Sequence, residues 1–261
     1  MVSQVSGRQT DVVGHRGAPA FARANSEASF RAALEVGVDR VECDVRLSAD
    51  GALVLVHDAT VEMPDGTPNA IGSLTHAQLR DAIPSLLVLD DLVEIVGGQA
   101  PLMVDVKGPG YEAEVAAAIR RHRLAETASV PSTWVVTLRR LRAAFPGLRL
   151  GLSTGHIVGG APHALRPAIG TTVRAVLPKL IPVALAAARA DELMVHHRAV
   201  TPALVDAVHR AGKKVNLFTV DSEEDIRRAL ALGPDSIISN HPDRAIVLRD
   251  EYDARIPSPN G

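Results

Sequence analysis

The sequence is poor in the residues that usually advertise a special environment. Its 261 residues include one cysteine, Cys43, so no internal disulfide can form. A lone cysteine inside an apolar run reads as a core residue. Aromatics make up 3% of the chain, with a single tryptophan, which leaves no evident cage for a quaternary ammonium group. No apolar run is long enough to span a bilayer. The longest, around Val176 to Ala190, is broken by Pro178, Lys179 and Pro182. The first residues, Met1-Val-Ser-Gln-Val-Ser-Gly-Arg8, carry no apolar segment of the signal-peptide kind, so a cytoplasmic protein is expected. Net charge is -2. That excludes the basic footprint of a nucleic-acid binder, and no stable membrane anchoring is expected. Only four lysines stand among the 28 basic residues, a bias we read as genome composition. Oligomeric state leaves no mark in the sequence.

What is present is a regular alternation. Apolar β-forming runs end in Gly, Asp or His and are followed by helix signals. Strands are expected at 11–15, 40–48, 101–107, 128–132, 148–153, 193–197, 215–220 and 236–239, with a further extended run at 53–58. Helices are expected between them. Asn25 or Ser26 caps the first, Gly37 ends it, and Pro202 and Pro242 open two late ones. A Gly/Pro-rich loop is expected to run to Gly170. Eight strands alternating with helices, without a linker-like shift in composition, fit one (β/α)8 TIM barrel over 11–253. Residues 1–10 and 254–261 are expected to be tails, and the Pro/Gly/Thr-rich segment 59–85 a short insertion with one helix near Thr75 to Asp81. The rival, an open doubly wound sheet, favours a GxGxxG loop after strand one, which His15-Arg-Gly-Ala-Pro19 does not supply.

Chemistry concentrates on the first three barrel strands. Val12-Val-Gly-His-Arg-Gly17 ends a strand with a base and a cation. In a barrel alternate residues face inward, so Glu42, Asp44 and Arg46 share one face and Val41, Cys43 and Val45 the other. Carboxylates at i and i+2 lie roughly 6.6 Å apart at the backbone and can converge on one cation. Asp105 and Lys107 repeat the pattern on the next strand. The set Glu42, Asp44 and Asp105 is all oxygen, which favours Mg²⁺ or Ca²⁺, with Mn²⁺ possible, over zinc. A plainer reading, a structural Glu42–Arg46 salt bridge, accounts for one carboxylate but not for three. His57 alone would be an ordinary loop histidine. His196-His197 are adjacent, so only one of them can face inward, and they read as bystanders. His, carboxylates and Lys brought together suggest a metal site that cleaves phosphodiesters.

His15-Arg-Gly-Ala-Pro19, Asn25-Ser26 with Phe30, Glu42-Cys-Asp44, Asp50-Gly51 and His57-Asp58 resemble the glycerophosphodiester phosphodiesterase family in order and spacing. Asp105-Val-Lys107, Phe218-Thr-Val-Asp221 and Ile237-Ile-Ser-Asn-His-Pro242 resemble its later motifs. The resemblance implies a TIM barrel that hydrolyses glycerophosphodiesters, as small-molecule substrates, to sn-glycerol 3-phosphate and an alcohol with a divalent cation. It implies His15 and His57 as the acid–base pair and Glu42, Asp44 and Asp105 as metal ligands. Arg16 and Lys107 then hold the phosphate, and Phe218 and Asp221 belong to the substrate pocket.

The chain also departs from that pattern. Arg23-Ala24-Asn25-Ser26 stands where the family usually reads Pro-Glu-Asn-Thr, so an acidic residue is missing at Ala24. The third ligand is usually Glu; here it is Asp105, as in the related sphingomyelinase D-like barrels. Phe218 replaces a usual Trp, and the segment after His57-Asp58 is short. Two alternatives stay open: a phospholipase D-like or cyclising phosphodiesterase, and a non-catalytic phosphodiester-binding barrel.

Overall fold

Alternation along each apolar run decides which side chains fill the barrel and which lie under the helices. The computed structural model describes residues 9–155 and 166–255, the side chains of 166–174 excepted. Its strands are β1 (Asp11–Gly14), β2 (Arg40–Leu47), β3 (Leu53–Leu55), β4 (Thr60–Glu62), β5 (Pro68–Ala70), β6 (Leu102–Val106), β7 (Ser129–Ser132), β8 (Arg149–Ser153), β9 (Glu192–His196), β10 (Lys214–Phe218) and β11 (Ser236–Ser239). Strands β1, β2 and β6 to β11 pair in parallel, and β1 joins both β11 and β2, which closes the ring. This is the eight-stranded barrel expected from the sequence. β3 runs antiparallel to the C-terminal end of β2, past its pairing with β1, with Val45 opposite Leu55.

The helices are α1 (Glu27–Val36), α2 (His76–Ala82), α3 (Leu89–Val96), α4 (Glu112–Arg121), α5 (Val135–Ala144), α6 (Arg166–Ala188), α7 (Pro202–Arg210), α8 (Glu223–Ala231) and α9 (Pro242–Asp253). Ser26, not Asn25, caps α1, accepting from the Ser29 N–H, and Gly37 ends it in the left-handed conformation. The loop expected to run to Gly170 ends sooner, because α6 starts at Arg166 and continues through Pro178 and Pro182. A proline in the first turn costs a helix little, so Pro167 does not stop it. Segment 59–85 holds a hairpin, β4–β5, which the sequence does not announce, besides the expected α2 capped by Thr75. The expected tails fall mostly outside the described residues, at 1–8 and 256–261. Thr10 already docks, its hydroxyl donating to the Pro234 carbonyl. Among the described residues no helix is long and apolar enough to cross a membrane.

Val12, Val41, Cys43, Val45 and Val104 belong to the large core between strands and helices. Val13, Met103, Met194 and Ile238 form a separate small core inside the ring, with Phe218 packed against it. This apolar plug divides two polar layers. Below it, at the N-terminal ends of the strands, Arg40 faces Asp11 at 3.3 Å and Glu192 at 3.8 Å. The Asn216 amide donates to Glu192, and the Ser236 hydroxyl donates to Asn216. Arg40, Glu192, Asn216 and Ser236 are all buried. The upper layer lies at the C-terminal ends, where barrel active sites are built.

Candidate active site

The site starts with the turn after β1. Gly17 has φ +89°, and a Cβ there would sit 2.6 Å from the Ser29 carbonyl. Only glycine lets the start of α1 approach this closely. Arg16 is also left-handed, at φ +55°. The turn aims the Arg16 N–H at Glu42 Oε2, 2.9 Å away, while its guanidinium Nε lies 2.8 Å from Asp44. Asn25 supplies the third side of this corner. Its amide donates to Asp44 Oδ2 at 3.0 Å.

The β2–β6 register sets Asp44 directly beside Asp105. One oxygen from each of Glu42, Asp44 and Asp105 lies within 4.8 Å of the others. Lys107 bridges two of them: its Nζ is 2.8 Å from Asp44 and also contacts Asp105. Burial, and then the neighbouring Asp44, pushes the Glu42 carboxyl well above the ordinary range. Burial likewise raises Asp105. For Asp44 burial acts the same way, but Lys107 and Arg16 outweigh it and hold the group below the ordinary range. Burial would lower Lys107; the three carboxylates outweigh it and raise the ammonium instead. The charges therefore share one low-dielectric corner in which not every carboxylate ionises at its usual cost.

A cavity of about 370 Å³ opens above this corner. His15, Arg16, Glu42, His57, Asp105 and Lys107 line it, with Met103, Trp134 and Phe218 on the apolar side. A cleft of about 200 Å³ shares Arg16 and His57 with it and reaches Ala24, the position of the missing acidic residue. His15 is held from behind, with Nδ1 2.8 Å from Asn240 Oδ1. Burial, and next the adjacent Arg16, pushes its pKa down to about 4. His57 is its opposite in setting: half-exposed, with Nδ1 2.8 Å from Asp58 Oδ1.

The structure thus brings eight of the nine expected residues to one place: His15, Arg16, Glu42, Asp44, Asp105, Lys107, His57 and Phe218. Asp221 does not line the cavity. It stands one layer back, accepting from the Asn240 backbone and side chain. Arg46 shares the inward face as expected, but its guanidinium donates to the carbonyls of His57 and Lys107, at 2.9 and 3.2 Å. It ties together the two segments that carry those side chains. Sequence reasoning gives no role to Asn240 or Trp134, and offers Arg46 only as a salt-bridge partner of Glu42, where the structure has it on these two carbonyls instead. The only signal for Arg46 is its place in the Glu42–Asp44–Arg46 alternation.

Comparison with known proteins gives the family and the fold. The model of the glycerophosphoryl diester phosphodiesterase family matches residues 15–144 and 161–244. A glycerophosphodiester phosphodiesterase from Caldanaerobacter subterraneus is 27% identical over 92% of this chain and 98% of its own length. One from Bacillus altitudinis is 25% identical over 93% and 99%. In fold, the chain is similar to an Oleispira antarctica phosphodiesterase solved with its product sn-glycerol-3-phosphate. That structure has a TM-score of 0.72 and 22% identity over 93% of this chain and 97% of the other. With the family match covering most of the sequence, from the His15 turn to the start of α9, the chain belongs to the glycerophosphoryl diester phosphodiesterase family and is an enzyme of that kind.

Proposed function

We propose that the enzyme hydrolyses glycerophosphodiesters to sn-glycerol 3-phosphate and an alcohol, using a divalent cation held by Glu42, Asp44 and Asp105. The observation that carries this reading is the convergence of three carboxylate oxygens within 4.8 Å beside a cavity that two histidines also line. The donor set fits a hard cation, all oxygen and acidic, as Mg²⁺, Ca²⁺ or Mn²⁺ require. The fold already draws positive charge to this place, since the Lys107 ammonium sits between Asp44 and Asp105. The product bound by the Oleispira relative supports the substrate class.

When bound, the cation supplies positive charge to the non-bridging phosphate oxygens. Arg16 and Lys107 add to that charge and orient the phosphate. A phosphodiester loses an alkoxide, which needs a proton as the P–O bond breaks. The attacking oxygen must give one up as its own P–O bond forms. His15 and His57 line the same cavity and serve these two transfers. The apolar wall of Met103, Trp134 and Phe218 excludes water from one side of the substrate.

The test is a glycerophosphocholine assay with EDTA-treated enzyme. Activity should vanish and return with Mg²⁺, Mn²⁺ or Ca²⁺. Full turnover after metal stripping would overturn the metal-dependent reading. Phosphorus NMR of the product should show a monoester; a persistent cyclic phosphate would move the enzyme to the cyclising class.

A further inference from the structure

His15 is tied to the far end of the chain by a pair that nothing in the reaction scheme uses. Asp221 follows β10 and Asn240 follows β11. The Asp221 carboxylate accepts the Asn240 backbone N–H on Oδ1 at 2.8 Å and the Asn240 side-chain amide on Oδ2 at 2.8 Å. The Ser239 hydroxyl donates to the same Oδ1 at 3.2 Å. A carboxylate only accepts, so the NH₂ end of Asn240 must face Asp221. Its oxygen end therefore faces His15, 2.8 Å from Nδ1. An amide oxygen also only accepts, so the proton of the neutral imidazole belongs on Nδ1. Nε2 is then the bare nitrogen.

Resting on the reading of His15 as a proton-transfer group, we propose that Asn240, locked by Asp221, is a positioning residue that fixes His15 as the Nδ1–H tautomer. It reserves Nε2 for the reacting oxygen. Free neutral imidazole in water favours the opposite tautomer, so this state has to be imposed. The logic is that of an orienting carboxylate behind a catalytic histidine, moved one residue back. Because Asn240 is neutral, the imidazole is aimed without a negative charge in contact with it. The charged groups that do face His15 are Arg16 from its own turn, Asp44 from β2 and Lys107 from the end of β6.

Two-bond ¹H–¹⁵N spectra of the full-length protein report the tautomer directly, with the His15 signals assigned by their loss in His15→Gln. In the wild type Nδ1 should be pyrrole-like and Nε2 pyridine-like. Asn240→Leu should return His15 to the Nε2–H form and lower kcat about 10- to 100-fold, the usual cost of removing an orienting partner, with KM within a few-fold. Asp221→Asn should give a mixture of tautomers, because the amide can then turn over. The exchanged pair Asp221→Asn/Asn240→Asp restores one acceptor toward His15 and one donor between the two residues. It should recover the Nδ1–H form and most of kcat, and move the acid limb of the pH profile upward.

An Nε2–H wild type would overturn the proposal, as would a tautomer that neither single substitution moves, or an exchanged pair as slow as the single variants. Should Asn240→Leu fail to fold, the wild-type tautomer and the exchanged pair still decide. A wild type that shows the Nδ1–H form but cleaves no glycerophosphodiester would instead sink the catalytic reading of His15 and leave the lock standing.

Discussion

At the lower end of the barrel Glu192 meets one cation, Arg40, and one amide, Asn216, and Asp11 faces the same cation from the other strand. At the upper end Glu42, Asp44 and Asp105 crowd within 4.8 Å, and Arg16 and Lys107 serve all three. The same strands carry both layers, and both are largely buried. The lower layer spreads its carboxylates and the upper layer concentrates them. Concentrating like charge is unfavourable for folding and useful for gripping a cation, so the two ends divide the work of stability and chemistry.

The sharpest way to test that division is to remove chemistry from the upper end alone. His15→Ala and His57→Ala should each lower kcat on glycerophosphocholine on the order of 10² or more, the usual loss for a general acid or base. The two losses should not add, since both residues serve one displacement. Melting temperature should barely move for the exposed His57. A p-nitrophenyl ester, whose leaving group needs no proton, should rescue whichever variant lost the acid. If His57→Ala kept near-normal turnover on the unactivated diester, the pair would be misassigned.

A smaller effect is expected at Asp105, one methylene shorter than the usual family residue. Asp105→Asn should lower turnover at least about tenfold, as lost metal-shell groups do, and shift the Mg²⁺ activation curve to higher concentration. Asp105→Glu should be tolerated or mildly harmful. An unmoved activation curve in Asp105→Asn would mean that this carboxylate serves only Lys107.

The smallest effects are in stability, and their signs should differ between the two ends. Glu192→Gln should lower the melting temperature of the protein by weakening a buried pair, about 1–3 kcal/mol. Glu42→Gln should raise that of the metal-free protein while abolishing activity. Glu42 holds its proton to higher pH in the folded chain than in the unfolded one. Its stability contribution is therefore present below the ordinary Glu pKa and lost as pH rises through the raised value. Glu42→Gln should flatten that decline in a series of melts from pH 4 to 8. If both substitutions destabilised alike, the contrast between the ends would fail.

The fold is legible in the sequence because alternation and cap signals repeat eight times. The inward carboxylates on β2 and β6 stand out because a charge in an apolar run is costly to bury unless a cation meets it. What stays hidden depends on partners far away in the chain. Asn240 sits in Ile237-Ile-Ser-Asn-His-Pro242, a motif that marks the strand end but names no partner, and its partner His15 is 225 residues distant. Arg46 is legible as an inward cation but not as a clasp on two carbonyls, since main-chain acceptors carry no letter in the sequence. Asp221 reads from its motif as a pocket residue. The motif marks the position but says nothing of the layer it occupies. The early start of α6 is hidden by Pro167, which a first turn accommodates, and by Gly170, which a long helix tolerates at a small cost.

Closure of the ring has a consequence for how the enzyme is made. Of the barrel strands, β1 is synthesised first, and one of its two barrel neighbours, β11, is synthesised last. Until β11 arrives, one edge of β1 stays unpaired, and unpaired edges are the templates of aggregation. His15 likewise lacks Asn240 until all eight barrel strands have been synthesised. Catalytic competence and protection of that edge should therefore appear together, late, in one zipping event of high contact order.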